Sequence, residues 1–222
     1  MRVASIDIGT NTILLLVAET DGQVISTLLD EQSIARLGKG VDSQRRIDDP
    51  AYERCKTALL SFKNTALQYA VEHIAVTGTS AIRDAANRDA FIARIFDETG
   101  LKIELLSGVE EAHWSYLGTL AGVPVRDTEI AVLDIGGGST ELTLGKGSEI
   151  TQRTSLDIGC VRLTEKYLHD SPPTQDQLAA CTERVEATLA EFPKLPPGST
   201  LIGVAGTLTT LAAIDLGLES YN

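Results

Sequence analysis

A strand that ends on an acid, breaks into three consecutive glycines and returns as a second strand leaves a chain few folds to choose from. Residues 132–145 read VLDIGGGSTELTLG. The apolar run Ile130 to Leu133 predicts a buried strand closing on Asp134, and the alternation of Glu141 to Leu144 predicts its return. Gly136, Gly137 and Gly138 have no Cβ, so their N–H groups can face an anion at close range, with Ser139 and Thr140 alongside. An acid there repels a phosphate directly, but can hold one through a divalent cation, which prefers hard oxygen ligands. An ordinary glycine-rich hairpin with surface acids has the same spelling, and one glycine motif does not separate the two.

A second copy does. Ser5 to Val17 reads SIDIGTNTILLLV. Asp7-Ile8-Gly9 matches Asp134-Ile135-Gly136, and Thr12 matches Thr140 after a one-residue gap. Each acid closes an apolar strand and each turn opens another. Two phosphate-type hairpins in one chain point to an α/β architecture of duplicated, actin-like (ribonuclease H-like) lobes, with mixed sheets flanked by helices and the ligand between the lobes.

The chain has 222 residues, enough for one large or two small domains. Its 43% hydrophobic and 23% charged residues are those of a soluble globular protein. No apolar run reaches the length of a membrane span, and the amino terminus passes straight into a strand, so neither a membrane anchor nor a signal peptide is expected. Cys55, Cys160 and Cys181 form neither a disulfide framework nor a CxxC pair, which fits a reducing cytoplasm. His73, His113 and His169 are scattered, which disfavours structural zinc. A net charge of −12 disfavours non-specific nucleic-acid binding, so an anionic substrate must be held by local cations, backbone amides and metal.

The first lobe is expected over residues 1–122, with strands at 2–8, 12–19, 24–34, 73–77 and 102–106. The loop Ala35 to Val41 sets Arg36 and Lys39 beside Gly38 and Gly40, either to approach a ligand or as a solvated basic turn. Gly78-Thr79-Ser80 leads into a helix carrying Arg83 in its first turn, where the helix dipole favours anions. Arg83 either shares a phosphate with the helix amides or pairs with Asp84 or Asp89. Ser107 and Glu110 spell a capping box, which leaves the adjacent Glu111 without a local explanation. Gly122-Val-Pro124 and Arg126-Asp127 mark the expected boundary. The second lobe, 123–222, has strands at 130–135, 141–145, 149–156 and 200–204. Its junction Ala205-Gly206-Thr207 is either an anion-facing helix start or a tight connection. Four strands against five predict an incomplete second lobe, with its carboxy-terminal part missing and a sheet edge or apolar face uncovered near 200–204.

Taken together, SIDIGTNTILLLV, ARLGKGV, TGTSAIRDAANRDAF, ELLSGVEEA, VLDIGGGSTEL and GVAGTLTTLAA resemble, in this order, the exopolyphosphatase / guanosine pentaphosphate phosphatase (Ppx/GppA) family. The resemblance spans essentially the whole chain. It implies a phosphoric anhydride hydrolase that removes terminal phosphate from inorganic polyphosphate or from the 5′ end of guanosine pentaphosphate (pppGpp), with Mg²⁺ or Mn²⁺. It further implies Glu111 as catalytic base and Arg83 as the phosphate-contacting arginine. Metal ligands would be Asp7, Asp134 and Glu141. The phosphate loop would be Gly136, Gly137, Gly138 and Ser139, with Thr10 and Asn11 on the opposite hairpin. Gly206 and Thr207 join the candidate phosphate-binding residues. A cytoplasmic location and a homodimer are also expected, with no nucleic-acid or membrane partner.

The expected chemistry is in-line attack by water on a terminal phosphoryl group, governed by positioning and charge neutralisation. Two rivals stand beside it. A kinase or ATPase of the same fold would aim Glu111 at a substrate hydroxyl. A non-catalytic sensor would bind polyphosphate or alarmone without turnover. The lack of an aromatic cluster beside the loops tilts the substrate towards polyphosphate.

Overall fold

The computed structural model describes residues 1–22, 24–124 and 128–219. The chain divides into two compact units, Met1–Ser107 and Gly108–Asn222. In the first, β1 (Arg2–Ile8), β2 (Ile13–Thr20) and β3 (Ile25–Ser33) form an antiparallel meander. The helices α1 (Val41–Gln44) and α2 (Asp49–Gln68) then carry the chain across to β4 (His73–Gly78), parallel to β1. The helices α3 (Ser80–Asp84) and α4 (Arg88–Thr99) lead to β5 (Ile103–Leu105), parallel to β4. The sheet order is β3-β2-β1-β4-β5. Parallel neighbours require such crossovers, and the sequence supplies their punctuation. Asp48 caps α2 by accepting from the Ala51 N–H at 2.7 Å, with Pro50 in the first turn, and Gly100 ends α4 at φ 70°. Alternation along β1 and β2 sends Ala4, Ile6, Ile8, Ile13, Leu15 and Val17 into one core with Leu59, Phe62 and Ile95 of the helices.

The second unit begins with α5 (Gly108–Gly122), followed by β6 (Glu129–Ile135), β7 (Thr140–Lys146) and β8 (Glu149–Leu156) as another meander. Next come α6 (Cys160–Tyr167), α7 (Gln175–Leu189), β9 (Thr200–Val204), which is parallel to β6, and α8 (Ala205–Asp215). Among the described residues the order β8-β7-β6-β9 repeats the first sheet without a counterpart of β5. Even the irregularities repeat: the register shifts between Val17 and Ala18 in β2 and between Leu144 and Gly145 in β7. Central β6 is buried on both faces, which explains its unbroken apolar run. Ile130 and Val132 pack with Tyr116 of α5, while Ala131 packs with Leu142 and Leu144.

The division falls at Ser107/Gly108 rather than near Gly122. The helix α5 is bound to the second sheet by its own side chains. Tyr116 is fully buried against Ile130 and Val132 and donates to the Gly147 carbonyl at 2.9 Å. The Thr143 hydroxyl donates to the Ala112 carbonyl at 3.0 Å. No composition change marks that boundary, because packing rather than chain direction assigns the helix. Arg126 and Asp127, expected to break the pattern, lie outside the described residues.

The expectation of an uncovered edge holds for the described residues. Strand β9 ends the sheet with Leu201 53% exposed, and Leu211 and Ile214 of α8 also face solvent. Among the described residues no helix is long and apolar enough to cross a membrane.

Candidate active site

The two hairpins have turns of the same length. The Gly9 N–H donates to the Thr12 carbonyl and the Gly136 N–H to the Ser139 carbonyl, both at 3.0 Å. Ile8 pairs with Ile13, and Ile135 pairs with Thr140. The one-residue gap read from the sequence is therefore absent: Thr12 stands where Ser139 stands, and Thr140 corresponds to Ile13. Matching residue types misled the alignment, because hydrogen bonding fixes a turn's register and side-chain identity does not. The corrected register has a chemical consequence. Asp7 faces Leu14 across its strand pair, whereas Asp134 faces Glu141. The copies share one acid, and the second unit alone carries a facing acid pair.

In the first unit, the Thr77 hydroxyl on β4 donates to Asp7 Oδ1 at 3.0 Å. The hydroxyls of Thr10 and Ser80 lie 2.8 Å apart, tying the hairpin to the start of α3. The glycine loop after β3 serves as a scaffold. The Gly38 N–H donates to the Thr10 carbonyl at 2.8 Å, and a Cβ on Gly38 would lie 2.2 Å from Thr10 Cγ2. The Arg36 N–H donates to the Asn11 carbonyl at 2.8 Å, so Thr10 and Asn11 are both held through their backbone.

Helix α3 is only five residues long, and Arg83 lies in its last turn, not its first. The backbone leaves the helix at Ala85 in an extended conformation. A helix of five residues carries little dipole, so the dipole argument lapses. Arg83 Nη1 donates to the Leu106 carbonyl at 3.0 Å, and Asp89 pairs with Arg88 at 3.7 Å. Arg83→Ala should weaken phosphate-substrate binding by about one to two decades, and it should cost about 1 kcal/mol of stability through the orphaned carbonyl. Calorimetric Kd together with thermal melting checks this. Loss of stability with unchanged affinity would leave Arg83 a structural residue.

In the second unit, Glu141 is 1% exposed and accepts from the Ser155 hydroxyl at 2.7 Å. Burial pushes its carboxyl up to about 8. The Glu111 and Asp134 charges add to that, and the hydroxyls of Ser155 and Ser139 pull the other way. Asp134 accepts from the Ser115 hydroxyl at 2.7 Å, and burial likewise raises its pKa against that bond. The two acids thus sit desolvated and side by side, with Glu111 near enough for its charge to be felt. Asp134 also pairs with Val204, so the β9–α8 junction lies at the same end of the sheet as the glycine turn. Ala205 there has φ 67°, a left-handed conformation unusual for a residue with a Cβ. Gly206 follows it, and its carbonyl accepts from the Thr210 hydroxyl at 2.6 Å. Thr207 lies in the first turn of α8.

The glycine turn rests on the start of α6. A Cβ on Gly159 would come within 2.5 Å of the backbone of Gly137 and Gly138. Gly159→Ala should cost about 1–3 kcal/mol by overpacking and displace the turn, read as a lower Tm together with weaker phosphate binding.

Among the described residues no three His, Cys, Asp or Glu side chains gather closely enough to hold a metal by themselves. The pair Asp134 and Glu141 fits Mg²⁺ in its usual manner, in which one or two carboxylates are joined by substrate phosphate oxygens and water. Asp7, the third expected ligand, belongs to the first unit.

The sequence gives no site role to Thr77, Ser80, Ser115, Ser155, Gly159 or Arg162. Thr77 and Ser80 lie within the TGTSAIR stretch, and Gly159 and Arg162 within DIGCVR. Ser115 and Ser155 carry no local signal, because only the packing of α5 on β6 and the pairing of β8 with β7 bring them to the acids.

Two copies of one sheet, each with an acid-tipped hairpin, place this protein in the actin-like class. The family model of the Ppx/GppA phosphatase family matches residues 16–218. Exopolyphosphatase 2 of Mycobacterium tuberculosis is 39% identical over 234 residues, covering 100% of this chain and 73% of that protein. Guanosine-5′-triphosphate,3′-diphosphate pyrophosphatase of Photobacterium profundum is 30% identical, covering 96% and 43%. The solved structure of the Aquifex aeolicus PPX-GPPA enzyme superposes with a TM-score of 0.82 at 34% identity, covering 100% of this chain and 73% of that one. The chain belongs to the Ppx/GppA phosphatase family, and is therefore a hydrolase.

Proposed function

We propose that this protein hydrolyses the terminal phosphate of inorganic polyphosphate in a Mg²⁺-dependent reaction, with Glu111 as base. The observation that carries the reading is the buried pair Asp134 and Glu141, set beside a glycine turn and within electrostatic reach of Glu111. Desolvated acids that repel one another are costly unless a cation joins them. Asp134 and Glu141 would hold Mg²⁺, which supplies charge neutralisation at the phosphate oxygens. The amides of Gly137, Gly138 and Ser139 would hold the terminal phosphoryl group. Gly206 and Thr207 extend that phosphate-binding surface. Glu111 would orient a water and take its proton as oxygen attacks phosphorus in line and the bridging P–O bond breaks. The same reading expects a cytoplasmic enzyme and a homodimer.

The decisive assay compares phosphate release from polyphosphate and from pppGpp, with Mg²⁺ and with chelator, in the absence of other nucleotides. Faster Mg²⁺-dependent release from polyphosphate supports the reading. Faster release from pppGpp moves the assignment to the alarmone, the substrate type suggested by the name of the Photobacterium relative. Binding without release favours a sensor, and transfer of a nucleotide's phosphate to an added hydroxyl acceptor, without phosphate release, favours a kinase.

A further inference from the structure

We propose that Arg162 is a positioning residue that turns the amides of the glycine loop towards phosphate, a role that rests on the phosphohydrolase reading. The Cys160 N–H donates to the Gly136 carbonyl at 3.0 Å. The N–H groups of Val161 and Arg162 donate to the Gly137 carbonyl at 2.9 and 3.1 Å. Arg162 Nε donates to the Gly138 carbonyl at 2.7 Å. Three consecutive carbonyls of the loop are therefore turned towards the start of α6. A trans peptide directs its C=O and its N–H to opposite sides. The N–H groups of Gly137, Gly138 and Ser139 consequently face away from α6, as a row of three successive donors.

The same bonds satisfy the first amides of α6, donors that helix geometry otherwise leaves without partners. The helix thus spends its N-terminus on the loop carbonyls, and the anion-facing surface passes to the loop's other side. Gly159 permits the approach, since a Cβ there would meet the Gly137 and Gly138 backbone at 2.5 Å. Within this seat, the Gly138–Ser139 peptide is oriented by a side chain. Its carbonyl is held by a charged guanidinium, a shorter and stronger bond than a neutral pair makes, and the charge also polarises the peptide whose N–H faces away from α6.

The test uses the full chain as wild type, Arg162→Ala and Arg162→Lys. Tripolyphosphate affinity is measured by calorimetry with Mg²⁺, alongside kcat and KM for phosphate release and the melting temperature. Arg162→Ala should raise Kd and KM about tenfold, as expected for one lost charge-assisted bond, with a smaller change in kcat. Arg162→Lys, which keeps one charged donor, should recover most of the affinity. Unchanged Kd and KM in Arg162→Ala overturn the proposal, and so does a Lys variant as weak as Ala whose melting temperature has fallen in parallel. Should Arg162→Ala not fold, Arg162→Lys decides alone: near-wild-type Kd supports the role and a tenfold loss overturns it. Wild-type protein that neither binds tripolyphosphate nor releases phosphate overturns the phosphohydrolase reading itself, whereas wild-type binding matched by Arg162→Ala overturns only the role of Arg162.

Discussion

Glu111→Gln should lower turnover by about 10²- to 10⁴-fold while leaving substrate affinity and melting temperature nearly unchanged. Glutamine keeps the shape and the hydrogen-bonding capacity of the side chain but cannot accept a proton. The neighbouring Glu110 is the control. Adjacent residues on an α-helix project about 100° apart, so the two carboxylates cannot share a task. Helix α5 begins at Gly108, which leaves Ser107 immediately before it and Glu110 at the capping-box spacing. Glu110→Gln should therefore cost at most about 1 kcal/mol of stability and little turnover. Structure adds a reason to favour Glu111, since its charge is among the causes that raise the pKa of Glu141. Turnover, affinity and melting temperature measured for both variants decide the matter. Equal losses of turnover, or a larger loss in Glu110→Gln, would reverse the assignment.

The second large effect is on stability. Folding raises the Glu141 carboxyl from 4.5 to about 8. Between those values the folded chain holds a proton that the unfolded chain has released. Unfolding is therefore opposed by this group most strongly below pH 4.5, progressively less as pH rises, and not at all above about 8. Where this group alone differs, the slope is about −1.4 kcal/mol per pH unit. In chelator, melting temperature should fall as pH is raised from about 5 to about 8, and Glu141→Gln should flatten that decline. Glu98, held down to about 2 by Lys56 and Arg94, acts in the opposite sense, but only below the ordinary carboxylate value of 4.5, outside this window. A wild-type melting temperature that is flat or rising across the window would show that Glu141 is already ionised in the folded protein.

The sequence alone determined the duplicated hairpins, the strand and helix order, and the residue types gathered around the phosphate turns. Those features are local. Apolar period, glycine runs, the cap at Asp48 and the stop at Gly100 each act over a few residues and are spelled in order. Tertiary structure decided the rest, because it depends on partners distant in the chain. It assigned α5 to the second unit through Tyr116 and Thr143. It set the hairpin register, so that Glu141 faces Asp134 while Leu14 faces Asp7. It shortened α3 and bound Arg83 to the Leu106 carbonyl. It brought Ser115 to Asp134, Ser155 to Glu141 and Arg162 to Gly138. Strand pairing and helix docking alone bring such residues within hydrogen-bond reach, and burial, with the neighbouring charges of Glu111 and Asp134, raises the Glu141 carboxyl.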